Sequence, residues 1–383
     1  MARLLITNCP IQDEASGGMA AQNIPTLTGI RAVAAGMVLL LHAELQLPAQ
    51  LTAVLPFVNR GYLGVDLFFI LSGYIITHIY LESFARSKRD AVRVFLWHRL
   101  VRLYPVHVTV LAALVGMVVV ANLAGIPLRS PRSWHAGELA WQLSLLHGWG
   151  LTNVSAWNAP SWSVSAEAFA YLLFPFIALG LLRTRNVPVL LILACVSLAV
   201  MAAAFVWQDR SLADWTHGRA LIRVAAEFLC GAALCRAVMV GAAQPLKGRG
   251  DLFGIAAFVL FILGASTGAS DFTLVALLAL TIVGAATASG PLAAILANRP
   301  MVWLGEISYS VYMVHLPVLI VLRHAFVGIG FPGWPQAGRL AGLAVAIAIV
   351  VAGAAMLYNL VERPARTRLR DWAGVIGARY ARQ

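Results

Sequence analysis

Apolar runs separated by short polar joins make up most of the chain. Ten of these runs read as candidate transmembrane helices, near residues 28–47, 62–79, 103–122, 161–181, 187–206, 219–239, 251–268, 272–290, 301–325 and 338–360. A helix needs about 20 residues to cross the hydrocarbon core. The second, seventh and eighth runs are near the short limit, which tilt or local thinning of the bilayer accommodates. The pattern predicts an all-α polytopic membrane protein of about ten transmembrane helices.

Composition agrees with this expectation. The 383 residues are 60% hydrophobic and 11% charged, whereas a soluble domain is about one quarter charged. The formal net charge of +12 comes mostly from the joins. With a cytoplasmic N-terminus, the joins predicted inside include SKRDAVRVFLWHRLVR, RTR, Lys247 with Arg249, ANRP and ERPARTRLRD. Those predicted outside hold mainly Arg60, Arg129, Arg132 and Arg210. The bias repeats along the chain and predicts that both termini are cytoplasmic. It also fits contact with anionic membrane lipids better than nucleic acid, for which no zinc-finger spacing or long basic stripe is present.

Residues 122–160 then face outward, with WHAGELAWQLSLLHGWG as a candidate interfacial or re-entrant helix. An eleventh full span here would reverse the later charge pattern. The polar start lacks the regions of a secretory signal, so the first apolar run reads as a retained span. The expected organisation is a polar segment over 1–25, an integral-membrane domain over 26–365 and a basic cytoplasmic tail over 366–383. Cys9, Cys195, Cys230 and Cys235 have no paired metal-ligand spacing, and no metal site is expected.

A few polar residues fall where a membrane helix does not ordinarily carry them. His42 lies about 14 residues into the first run, at a depth where an ionisable group needs a partner or a cavity. A neutral imidazole there is either a core histidine satisfied by one hydrogen bond or a general base, able to take a proton from a hydroxyl that attacks a carbonyl. Glu44 is poorly placed to orient it, because residues two apart do not face each other on a helix. Asp66, in GVDLFFILSGYII, begins the second run on the same outer side. Two roles fit it: orienter of His42, or a cap at a helix N-terminus.

Ser163 and Glu167 are four apart in NAPSWSVSAEAFAYLLFP and share a helix face. In GEISYSVYMVHLP, Tyr309, Tyr312 and His315 follow at three-residue steps, as a cavity wall or an ordinary interhelical contact would require. Arg99 and Arg102, three apart before the third run, suit either polyphosphate binding or lipid headgroups.

Taken in order, LTGIRAVAAGMVLLLH, YLGVDLFFILSGYII, RLVRLYPVH, PSWSVSAEAFAYLLFP and GEISYSVYMVHLP resemble the integral-membrane acyltransferase family 3 over residues 24–365. That family includes bacterial O-acetylases of cell-surface polysaccharides and antibiotic-modifying acyltransferases. The resemblance implies a catalytic role for His42, with Asp66 in the family's GVD motif and Glu167 in its tryptophan-serine-glutamate motif beside Trp162 and Ser163. It matches Arg99 and Arg102 to the donor-side RxxR motif, Arg31 to the arginine leading the first helix, and Tyr309 and His315 to the late-helix pattern.

The implied reaction moves an acyl group from acetyl-CoA or another acyl-CoA, used as substrate with no tightly bound cofactor, to a hydroxyl. The expected acceptor is a cell-surface glycan or lipid-linked sugar, with a macrolide or other small polyhydroxylated metabolite as the alternative. The expected location is the bacterial cytoplasmic (inner) membrane. Transport without covalent chemistry is the reading from a different class, compatible with intramembrane charges.

Overall fold

The computed structural model describes residues 24–369 apart from 127–130, 153, 155, 207–211 and 215. All but the last two residues of the expected N-terminal segment, the tail from 370 to 383, and Cys9, Arg129 and Arg210 lie outside the described residues. Regular structure among the described residues is entirely helical. The main helices are α1 (Pro25–Gln46), α2 (Gly64–Arg86), α3 (Lys88–Leu123), α4 (Trp162–Arg183) and α5 (Val187–Val206), followed by α6 (Ala220–Ala237), α7 (Gly250–Thr267), α8 (Asp271–Thr287), α9 (Arg299–Gly328) and α10 (Gln336–Leu357).

Nine helical stretches among the described residues are long and apolar enough to cross a membrane. The eighth position in the expected order is filled by the shorter α8, whose 17 residues extend about 25 Å. Asp251 explains where α8 stops. Its carboxylate accepts the backbone N–H groups of Ser289, Gly290, Leu292 and Ala293, which commits the following residues to a turn rather than to more helix.

The third span also differs from its expected extent. Rather than a polar join followed by a helix at 103, α3 runs unbroken for 36 residues from Lys88. No glycine or proline interrupts residues 86–104, so nothing in the basic stretch stops a helix. Arg99 and Arg102 therefore sit on a rigid helix, not in an entrance loop. Ser87, in extended conformation, is the single residue separating α2 from α3.

Small residues set the closest helix approaches, as expected where lipid provides little hydrophobic drive between helices. A Cβ on Gly231 of α6 would overlap the Ile70 carbonyl of α2, and one on Gly305 of α9 would overlap the Thr28 carbonyl of α1. Helices α1 and α9 run the same way: Thr28 lies beside Gly305 and, further along, His42 lies beside His315.

Between α3 and α4, the expected interfacial or re-entrant helix is present only as six residues, Glu138–Leu143. Buried polar side chains hold the rest of the segment. Gln142 donates to the Ala156 carbonyl, Ser161 Oγ lies 3.0 Å from His147 Nε2, and His107 of α3 stacks on His147 with centroids 5.9 Å apart. Pro317 inside α9 has no N–H for the Met313 carbonyl, and Asn158 Nδ2 satisfies that carbonyl at 3.0 Å. The segment entering α4 is thereby fastened to α9.

Burial, with His107 as the next cause, pushes His147 down to about 4. The unfolded chain takes this proton near pH 6.5, the folded chain only near 4. Stability is therefore full above the unfolded value and falls between the two, by roughly 3 kcal/mol over the window. A thermal melt in detergent at pH 7.5 and at 4.5 checks this: His147→Gln should show a distinctly smaller pH-dependent drop than the parent.

Candidate active site

A cavity of about 130 Å³ lies among α1, α2, α3, α4 and α9. Its polar wall is built from Arg31, Arg99, Arg102, Glu167, Ser163 and three tyrosines, Tyr171, Tyr309 and Tyr312; Phe68 and Phe69 face them from α2. Six residues expected at the site, Arg31, Arg99, Arg102, Ser163, Glu167 and Tyr309, thus converge on one space although they come from four helices.

The three arginines have different surroundings. Arg31 makes no hydrogen bond or ion pair among the described residues. Arg99 donates to the Tyr80 hydroxyl at 3.1 Å, and its guanidinium lies 5.3 Å from the Tyr80 ring centre and 5.8 Å from that of Tyr171. Its buried Nε has no partner. Aromatic faces attract a cation without neutralising it, so Arg99 keeps its charge available to an anion. Arg102 is ion-paired with Glu362 and lies over Tyr309 at 5.3 Å. Glu362 also accepts from Ser310 at 2.7 Å and lies 3.7 Å from Arg366. Four guanidinium groups against the carboxylates of Glu167 and Glu362 leave this end of the site two positive charges in excess.

Glu167 is oriented by two hydroxyls, Ser72 Oγ at 2.7 Å and the Tyr171 hydroxyl at 2.6 Å, both on Oε1. Ser163 Oγ and the Tyr312 hydroxyl are 2.6 Å apart, and both donate to the Pro160 carbonyl or to each other. That arrangement fixes the Tyr312 ring at the cavity's far wall, where it packs edge-on against Phe68.

His42 and His315 do not line the cavity. They form a pair behind Tyr312, with ring centroids 4.9 Å apart and Tyr312 itself 5.6 Å from His315. His42 Nδ1 is 2.9 Å from the Val38 carbonyl, and His315 Nδ1 is 2.6 Å from the Tyr312 carbonyl. A carbonyl only accepts, so in each ring Nδ1 carries the hydrogen and Nε2 presents a lone pair.

Asp66 corrects one expectation. Its carboxylate neither caps a helix end nor meets His42. Both oxygens are taken by Arg223 of α6, at 2.8 Å from Nε and 2.5 Å from Nη2, and both side chains are essentially fully buried. A bidentate guanidinium matches a carboxylate better than one imidazole nitrogen does, and the i−4 carbonyl of Val38 already orients His42. Trp162 belongs with this pair rather than with the cavity: its ring lies 5.5 Å from the Arg223 guanidinium. Glu227, one turn beyond Arg223, is 3.9 Å from Arg223 Nε and is fully buried.

Arg223, Glu227, Glu362, Ser72 and Tyr171 are site neighbours that sequence reading passed over. For Arg223 and Glu227 a signal existed, since two charges four apart in an apolar run need a partner. Glu362 carried a weaker one among the arginines of the last join. Ser72 and Tyr171 look like ordinary helix residues until the fold brings them to Glu167.

Comparisons with known proteins identify the family of the chain. The profile of an acyltransferase domain family matches residues 24–358. Acyltransferase MdmB of Streptomyces mycarofaciens is 30% identical over 89% of this chain and 91% of its own length. Putative peptidoglycan O-acetyltransferase YrhL of Bacillus subtilis is 25% identical over 90% of this chain, and O-acetyltransferase OatA of Staphylococcus aureus is 24% identical over 90%. The chain spans little more than half of those two, 55% and 57% of their lengths. No solved structure matches. The chain belongs to the integral-membrane acyltransferase family 3.

Proposed function

We propose that the protein transfers an acyl group from acyl-CoA to a hydroxyl, in the bacterial cytoplasmic membrane, with the start of α1 on the cytoplasmic side. The observation that carries this reading is the cavity with two arginines, Arg31 and Arg99, that form no direct ion pair with a carboxylate among the described residues, close to a pair of histidines. His315 lies beside the cavity-lining Tyr312, and His42, with its Nε2 lone pair free, lies beside His315. The cavity is smaller than the roughly 300–1,000 Å³ of a drug-sized ligand site. It suits the acyl end of the donor, with the nucleotide phosphates held at the cytoplasmic mouth by the excess positive charge.

In the transfer, His42 Nε2 takes the proton of the acceptor hydroxyl as its oxygen attacks the thioester carbon. The new C–O bond forms, the C–S bond breaks, and the proton passes to the departing thiolate. The Val38 carbonyl does the orienting work, one of the two roles that fit Asp66 from sequence alone. His42 does not line the cavity, and His315 and the cavity-lining Tyr312 follow one another from it toward the donor side, so the thioester has to move beyond the cavity wall to reach the base. Glu167, held by Ser72 and Tyr171, balances the arginines at the cavity wall.

For the acceptor, the name of YrhL, a putative peptidoglycan O-acetyltransferase, favours a glycan hydroxyl, on a surface polysaccharide or a lipid-linked sugar. Donor recognition is testable by itself. Arg99→Gln should weaken acetyl-CoA binding about 10- to 100-fold, the worth of one charge-assisted contact. Calorimetry on purified protein in nanodiscs reads this directly, and an unchanged Kd would remove Arg99 from the donor site.

A further inference from the structure

Arg366 belongs to none of the motifs that mark the site in the sequence, yet the fold sets it beside the arginine end of the cavity. Glu362, one turn earlier on the last helical stretch (Gln336–Leu369), is the link: Arg102 pairs with its Oε1, and Arg366 Nη1 lies 3.7 Å from the same oxygen. The stretch is fastened to α3 there, because Trp97 Nε1 donates to the Leu369 carbonyl at 2.8 Å. Exposure falls inward: the Arg366 side chain is 43% exposed and that of Arg102 13%, while Arg99 Nε is buried. The charges of Arg102 and Arg99 act on Arg366, and that of Arg366 acts on Arg31. Two features leave Arg366 open to a ligand. At 3.7 Å its nearest carboxylate oxygen is beyond hydrogen-bond reach, and it makes no hydrogen bond among the described residues, so the five N–H donors of its guanidinium are uncommitted within them. Glu362 already serves Arg102 and Ser310, and one carboxylate cannot neutralise two guanidinium groups.

Resting on the reading of acyl-CoA as donor, we propose that Arg366 binds a phosphate at the donor's nucleotide end and so selects acyl-CoA over thioesters that lack the nucleotide. The cavity of about 130 Å³ has room for the acyl end alone, so the phosphates of a bound donor lie outside it. Arg366, next to Arg102 and more exposed than it, is placed to meet them there. A planar guanidinium offers a phosphate two parallel N–H bonds, a match that a point charge does not provide. Glu362 fixes where this happens, because it holds Arg102 directly and keeps Arg366 within reach of the same oxygen. A lipid headgroup carries the same phosphate chemistry, and the two sources differ in what loss of Arg366 does to donor binding.

The test uses the full chain in lipid nanodiscs with two thioesters, acetyl-CoA and acetyl-pantetheine, which shares the acyl end and carries no phosphate. Arg366→Gln should raise the Kd for acetyl-CoA about 10-fold, the lower end for a charge-assisted contact. The affinity for acetyl-pantetheine, read by competition against labelled acetyl-CoA, should stay at the parent value, as should the melting temperature. Arg368→Gln is the charge control. It removes the same charge from an exposed residue two positions on, which does not share a helix face with Arg366, and should change the acetyl-CoA Kd by no more than about twofold because exposed charges are screened. An unchanged acetyl-CoA Kd in Arg366→Gln would overturn the proposal and leave the side chain to lipid phosphate. Equal weakening of both thioesters, or equal weakening by Arg368→Gln, would overturn it too, by reducing the effect to packing or to net charge. A parent protein that binds no acetyl-CoA would instead overturn the donor reading itself, which separates the two failures.

Discussion

Arg223→Ala is expected to destabilise the helix bundle by about 3–5 kcal/mol, the cost of breaking a buried ion pair by removing one partner. The substitution strands Asp66 and leaves Glu227 beside it, two carboxylates in a wholly buried site with no cation. Asp66→Asn should cost less. Arg223 then retains Glu227, 3.9 Å away, and an amide that still accepts one of its hydrogen bonds. The order of thermal stabilities in detergent is therefore parent, Asp66→Asn, Arg223→Ala. If instead Asp66 acted on His42, its amide variant would lose transfer while keeping stability. A stable Asp66→Asn protein with kcat reduced a hundredfold would count against the ion-pair role. Because Arg223 also supports the Trp162 ring, its loss should loosen the start of α4, where Ser163 and Glu167 are carried.

The second large effect is on chemistry. His42→Ala should lower kcat by about 10²- to 10⁴-fold, the usual contribution of a positioned general base, with donor affinity within a few-fold of the parent. The separation of the two functions follows from the geometry. His42 lies eleven residues beyond Arg31 on α1, about 16 Å along the helix, and is not among the residues that line the arginine cavity. Removing the imidazole leaves the donor site untouched. A mutant that binds donor normally and transfers nothing is the expected phenotype. A mutant that loses donor binding would place His42 in the donor site instead.

The comparison of sequence and structure divides along a physical line. Apolar runs located the spans because the bilayer imposes length and hydropathy on each helix separately. The shared face of Ser163 and Glu167 followed from helical periodicity, whereas Tyr309 and His315, two three-residue steps apart, diverge around the helix, so that Tyr309 lines the cavity and His315 does not. Contacts between helices were a different matter. Asp66 and Arg223 are 157 residues apart, and no local pattern says that α2 and α6 meet there. The small residues that permit it, Gly73 and Gly231, are unremarkable in a membrane helix. The orienting group of His42 escaped sequence reading because it is a backbone carbonyl, present at every position. Likewise, the pairing of Arg102 with Glu362 joins α3 to the last helical stretch, Gln336–Leu369, a contact that neither phosphate binding nor lipid headgroups, the two readings of the arginines, includes.

The measurement that tests the central claim most directly is transfer of label. Purified protein in lipid nanodiscs would be given [14C]acetyl-CoA with a panel of surface glycans, lipid-linked sugars and small polyhydroxylated metabolites, beside the His42→Ala protein. The account predicts an acyl ester on a hydroxyl acceptor made by the parent and almost absent from the mutant, with donor binding preserved in both. The labelled product would separate a glycan acceptor from a small metabolite. Equal transfer by parent and mutant would contradict the assigned base. Donor carried across the bilayer with its thioester intact, and no acceptor labelled, would contradict acyl transfer itself and favour a transporter.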